Sequence, residues 1–271
     1  MHQLTWKQVA KEAGIASSTL SKLRHGEHIL KDATVWEITT QLGLLLNEDP
    51  KQPPISLAML STWPTVVHET FDSWNSLWRD HSSIDAGREV AKIIRHGRYE
   101  LSLQSYLPQG STMGSDSSIP GRSTFFMTVE AEQLEGSETG ECGLLFGELN
   151  DTEFHVFYIR PTRQHFSVAS VKNDGVDLEN DWHLFYPWQK HSAIKTSGVN
   201  HLSVLRNNMS FWFYVNGQVV ADIHPLDFPT DERRVDLAIG MGEEGYTIAA
   251  YDNFILRVPP GRTSRKPRSN A

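Results

Sequence analysis

Apolar residues recur at helical spacing from Met1 to about Leu46 and alternate with polar ones from Arg98 onward, so the chain divides by period. Leu4, Val9, Ala10 and Ala13 fit one helix face, Ile15, Leu20 and Leu23 continue it, and Val35, Ile38, Leu42 and Leu45 form another stripe. Three short helices are predicted, broken at Gly14, Gly26 and Gly43, with Asp32 as N-cap of the third. Pro50, Pro53, Pro54 and Pro64 then interrupt any helix, and "ISLAMLS" among them reads as a docking turn. After this linker the period is two. RYELSLQSY, TFFMTVEAE, FHVFYIRP, HFSVASVK, HLSVLRN, FWFYVNG, QVVADIH, VDLAIGMG and IAAYDNFILRV are short, rich in β-branched and aromatic residues, and bounded by turn residues. Asn216-Gly217 marks a hairpin, because a two-residue turn of the right hand needs positive φ at both positions.

Nine or more strands without intervening helices predict an all-β jelly-roll sandwich. The expected organisation is a small all-α head at 1–46, a proline-rich linker at 47–66, the sandwich at 67–258 and a basic, disordered tail at 259–271. Within the sandwich, Gln109 to Gly121 has the composition of a flexible surface loop.

At 271 residues and 39% apolar content the chain can bury a large core beside a small second domain. A single cysteine, Cys142, excludes an internal disulfide and suits a reducing compartment. No run approaches the roughly 18 apolar residues of a membrane span, and the N-terminus lacks a signal-peptide core, so a cytoplasmic protein without membrane contact is expected. The net charge of −8 is uneven. Met1 to Lys31 carries five bases against two acids, and Arg257 to Ala271 carries five bases and no acid, so both ends are basic and the body is acidic. An end, rather than the body, is then the part suited to a polyanion.

TWKQVAKEAGIASSTLSKLRHG, Thr5 to Gly26, has the spacing of a helix-turn-helix. Ala10 is the small residue at the helix contact, Gly14 the turn, Ile15 the apolar closer, and Leu20 and Leu23 the buried face of the second helix. The stretch resembles the start of the lactose-repressor family and Cro-type (XRE) DNA-binding domains. That resemblance implies base contacts from Ser17, Ser18 and Lys22 and phosphate contacts from Thr5, Thr19 and Ser21, with Lys22 towards guanine as the main specific one. Double-stranded DNA and a homodimer are the expected partners. The alternative use of such a motif is protein contact alone.

In the β region, "VEAEQLE" places Glu130, Glu132 and Glu135 as E-x-E-x-x-E, resembling the E-x-D-x-x-E strand of retaining β-glucanases on a concanavalin-like jelly roll. Alternation sets Glu130 and Glu132 on one face, and a bulge would bring Glu135 alongside. The competing reading is an ordinary half-buried strand, with Phe125, Met127, Val129 and Ala131 inside and the acids on its wet side. No catalytic residue is assigned on this basis.

A wider resemblance, from "FDSWNSLW" through "ECGLLFGELNDTEFHVFYI" and "NHLSVLRNNMSFWFYVNGQVVADI" to "YDNFIL", is to concanavalin A-like or laminin-G-like sandwiches of 3-keto-disaccharide hydrolase-like domains. It implies the fold and a sugar groove on one sheet. Trp212 and Tyr214, and separately Trp182, Tyr186 and Trp188, are the candidate stacking platforms, with core packing as the alternative for each. The histidines lack paired ligand spacing, and Asp252 and Asn253 read as a strand-edge pair rather than a calcium site, so no metal and no cofactor is expected. The leading expectation is a DNA-binding transcriptional regulator whose sandwich senses a carbohydrate-like ligand or mediates assembly. The alternative is an intracellular carbohydrate-active hydrolase with an appended helical module.

Overall fold

The computed structural model describes residues 52–73, 77–78, 80–84, 87–115, 117, 119–150, 153–172, 182–223 and 234–260. The predicted helical head, with Thr5, Ser17, Ser18, Thr19, Ser21 and Lys22, lies outside the described residues, as does the tail beyond Pro260.

Two antiparallel sheets form a jelly-roll sandwich. The larger holds β1 (Thr65–Glu69), β2 (His81–Ile84), β3 (Arg88–Arg95), β4 (Arg98–Ser105), β6 (Thr124–Gly136), β11 (Asn200–Asn207), β12 (Ser210–Val215), β13 (Gln218–Ile223) and β15 (Gly245–Arg257). Its order is β13-β12-β11-β6-β15-β4-β3-β2, with β1 on the C-terminal end of β15. The smaller runs β10 (Trp182–Lys190), β9 (His165–Lys172), β8 (Glu153–Arg160), β7 (Gly140–Asn150), β14 (Arg234–Met241) and β5 (Ser111–Gly114).

Period-two alternation builds the core between them. Phe125, Met127, Val129 and Ala131 of β6 face inward and are buried, beside Tyr99, Leu101 and Leu103 of β4 and Phe211, Phe213 and Val215 of β12. The smaller sheet returns Cys142, Leu144, Phe146, Phe157 and Ile159. Each large apolar side chain so buried contributes about 1.5–3 kcal/mol. Cys142 is fully buried, and burial, with Glu141 nearby, pushes its thiol up to about 12. The predicted hairpin forms: Asn216 and Gly217 have φ of 50° and 80° between Val215 and Gln218, which pair.

Both linking segments pack against the sandwich, ISLAMLS as the docking turn it reads as and Gln109–Gly121 against expectation. Ser56 caps the one-turn helix α1 (Leu57–Leu60), its hydroxyl accepting from the Met59 N–H. Leu60 and Trp63 bury themselves against Phe126, Leu205, Trp212 and Tyr214 on the outer face of the larger sheet. The linker is therefore docked onto the sandwich. The Gln109–Gly121 segment is not a free surface loop: it contains β5, and Ser115 and Ser117 are fully buried. The Ser115 hydroxyl donates to the Asp236 carboxylate, which also accepts the Ser117 N–H at 3.0 Å. Composition gave the wrong reading because the serines satisfy a buried acid instead of water.

Candidate functional site

On the outer face of the larger sheet, register fixes which side chains lie together. Thr128, Glu130 and Glu132 point outward from β6, alternating with the buried Val129 and Ala131. Regular alternation would send Glu135 to the opposite face. Instead, Gln133 pairs with Ala249 and Glu135 with Ile248, leaving Leu134 as an extra residue on β6. This β-bulge returns Glu135 to the side of Glu130 and Glu132, so all three acids lie on one face of a central strand.

Neighbouring strands supply their partners. Glu130 lies opposite Asp252 of β15 on one side and His201 of β11 on the other. The His201 Nδ1 is 3.8 Å from a Glu130 carboxylate oxygen, an ion pair only when the imidazole is protonated. Glu132 accepts from Arg98 Nη1 of β4 at 2.6 Å. Burial raises the Asp252 pKa, an accepted hydrogen bond from the Asn253 N–H opposes this, and the Glu130 charge adds to the rise. Asn253 has φ of 50° and sits at a second register shift, between Asp252 and Ile255, so each strand of this pair is irregular beside the acids. Beyond Glu135 the same face carries Ile248 and an exposed Tyr246.

The aromatic residues expected to stack on a ligand are placed elsewhere. Trp212 and Tyr214 are 5% and 1% exposed beneath the docked linker, so they form a satellite core rather than an open platform. Trp188 is buried on the smaller sheet with the Arg160 guanidinium 3.8 Å above its ring. Tyr186 is half-buried and ties the two sheets together, its hydroxyl donating to the Asp222 carbonyl at 2.8 Å. Trp182 is exposed at the start of β10, edge-on to Phe154. These five do not converge. Alternation identified the strand of Trp212 and Tyr214 but not that of Trp182, Tyr186 and Trp188, and it cannot say which outward face another segment covers.

Sequence reasoning singled out Glu130, Glu132 and Glu135 but missed Arg98 and His201, and read Asp252 only as a strand-edge residue. Arg98 opens a regular polar–apolar alternation, Arg-Tyr-Glu-Leu-Ser-Leu-Gln-Ser, that marks it as outward. Its position beside Glu132 depends on two strands more than 30 residues apart coming together. Among the described residues, no group of three or more His, Cys, Asp or Glu could hold a metal ion.

No protein-family model matches this sequence, and the curated proteins give no match either. Solved structures do share the fold. An endo-acting O-glycanase of the human gut microbiota superposes with a TM-score of 0.51 at 10% identity, over 73% of this chain and 100% of that one. The laminarinase catalytic domain from Thermotoga maritima gives 0.51 at 9% identity, over 73% and 99%. A GlcNAcα1-4Gal-releasing endo-β-galactosidase from Clostridium perfringens gives 0.50 at 10%, over 80% and 67%. At these identities the likeness is one of fold. It nevertheless corrects the leading expectation, since the neighbours are glycan-degrading enzymes and none of the three is a DNA-binding regulator. The preference for a non-enzyme over an enzyme is corrected on the same ground: these neighbours of the fold favour the alternative reading over the leading one.

Proposed function

We propose that the chain is a carbohydrate-active hydrolase that cleaves glycosidic bonds on the outer face of its larger sheet, with Glu130 and Glu135 as the reacting acids and Glu132 between them. The observation that carries this is the bulge at Leu134, which gathers an E-x-E-x-x-E run onto one face. An ordinary wet strand has no need of it.

The chemistry follows that of retaining glycosidases, which use one carboxylate as nucleophile and one carboxylic acid as proton donor. Glu130 attacks the anomeric carbon while Glu135, exposed at the strand end, gives its proton to the departing glycosidic oxygen. Glu135 then takes a proton from water, which displaces Glu130 and releases the sugar. Glu132 stands between them, and its hydrogen bond from Arg98 orients it. Two of the fold neighbours, the O-glycanase and the endo-β-galactosidase, are endo-acting, which suits a site that runs along the sheet, and the proposed substrates are β-linked glycans.

The test is reducing-sugar release from β-glucans and β-galactans. Glu130→Gln and Glu135→Gln should each lower turnover about 10²–10⁴-fold, with melting temperatures near that of the parent. Undiminished turnover in Glu130→Gln, or no turnover by the parent on any such glycan, overturns the reading.

A further inference from the structure

We propose that the cavity above β2, β3 and β4 is an extended binding site for a neutral oligosaccharide, holding the chain that leads away from Glu132 and Glu135. The inference rests on the hydrolase reading of that face. Its volume is about 650 Å³, within the range of small-molecule sites.

Register makes the cavity continuous with the acids. Ser102 of β4 pairs with Ile248 of β15, which pairs with Glu135, and Glu100 pairs with Ala250, which pairs with Glu132. On the other side Ser102 pairs with Ala91 and Glu100 with Ile93 of β3, and Ala91 pairs with Ser82 of β2. Two rows of side chains therefore run across the sheet from the acids into the cavity, which Asp80, Ser82, Arg95, Glu100 and Ser102 line.

The lining is built for a polyhydroxylated ring. Ala91, Ile93 and Ile248 give a small apolar floor against which the C–H face of a pyranose can lie. Around it stand planar groups suited to paired hydroxyls. Glu100 is only 6% exposed, and its carboxylate receives the Arg95 guanidinium at 2.6 Å from Nε and 2.5 Å from Nη2. Asp80 is held by accepting the Ile94 N–H at 3.0 Å. These groups are ordered before any ligand arrives, which lowers the entropic cost of binding. Arg95 offsets the charge of Glu100, and Lys92 sits on the inner side of β3, so no unpaired cation on this face favours an anionic ligand.

The experiment titrates neutral β-linked glucose and galactose oligosaccharides, from di- to hexasaccharide, into Glu130→Gln protein by calorimetry. Affinity should rise with chain length, and Ala91→Trp, which fills the cavity, should abolish that gain, weakening hexasaccharide binding at least tenfold. Arg95→Lys, which keeps a cation beside the buried Glu100 and removes the planar guanidinium, should weaken the longer sugars selectively and raise KM for them more than it lowers kcat in the active enzyme. A chain-length gain that survives both variants, or turnover with no chain-length dependence, overturns the cavity proposal alone. Absence of both turnover and binding overturns the functional reading and this proposal with it.

Discussion

Glu141 on β7 and Arg160 on β8 form an ion pair whose side chains are 9% and 8% exposed. Arg160 Nε and Nη2 lie 3.2 and 2.6 Å from the same Glu141 oxygen, and the guanidinium stacks on Trp188. Gly242 makes the room, since a Cβ there would lie 2.1 Å from Nη2. Burial raises the Glu141 pKa, and the Arg160 charge works against that rise. Arg160→Met strands the carboxylate, and Glu141→Leu strands the guanidinium. Each should cost about 3–5 kcal/mol, the penalty of an uncompensated buried charge. In a sandwich of this length that corresponds to roughly 6–20 °C in Tm. Exchanging both residues, Glu141→Leu with Arg160→Met, removes both charges and leaves a thioether against the Trp188 ring. That variant should lie between the parent's stability and about 4 kcal/mol above it. Urea unfolding followed by tryptophan fluorescence, run as a double-mutant cycle, measures all four proteins. Arg160→Met should also recover stability as acid protonates the stranded Glu141. A double variant as unstable as the two singles summed would refute the argument, because it would show the charges to be independent.

Three further outcomes are expected. The Asp252 pKa is raised in the folded state, so folding binds its proton more tightly, and the stability it contributes at low pH is lost as pH rises from the unfolded value near 4 through the raised one. Asp252→Asn should therefore raise Tm at pH 7 and lose that advantage below about pH 4; an equal effect at both pH values would contradict this. The Tyr214 hydroxyl is buried beneath the linker and has no hydrogen-bond partner among the described residues, so Tyr214→Phe should be neutral or stabilising by about 1 kcal/mol in chemical denaturation, and a loss beyond 1 kcal/mol would count against it. Cys142, buried and pushed up to about 12, should resist iodoacetamide at pH 8 in the native protein and react once in guanidinium; stoichiometric native labelling would show the core to be open.

Much of the sandwich was readable because alternation is local. HFSVASVK coincides with β9, the Asn216-Gly217 turn sits where its backbone requirement put it, and the inward set of β6 was assigned residue by residue. The strands passed over were β1, β2 and β5, which are short, and β3, β7 and β10, where the alternation is broken, in β7 by the consecutive buried residues Leu144, Leu145 and Phe146. REVAKIIR carries Lys92 on its inner side, paired with Leu101 and 4% exposed, while WHLFYPWQK has two register shifts and a proline. A period-two search fails on both.

What the sequence by itself determined was which residues of a strand share a face, hence the pairing of Glu130 with Glu132 and the burial of Met127, Val129 and Ala131, since side-chain direction follows from backbone geometry within a few residues. Only the tertiary structure decided what each face meets. It set the bulge at Leu134 that returns Glu135 to its neighbours, brought Arg98, His201 and Asp252 to those acids from three other strands, and closed the linker over Trp212 and Tyr214. Those outcomes depend on register between segments far apart in the chain, as Glu130 is from Asp252, and register is set by the closing of two sheets around one core, which no local pattern encodes.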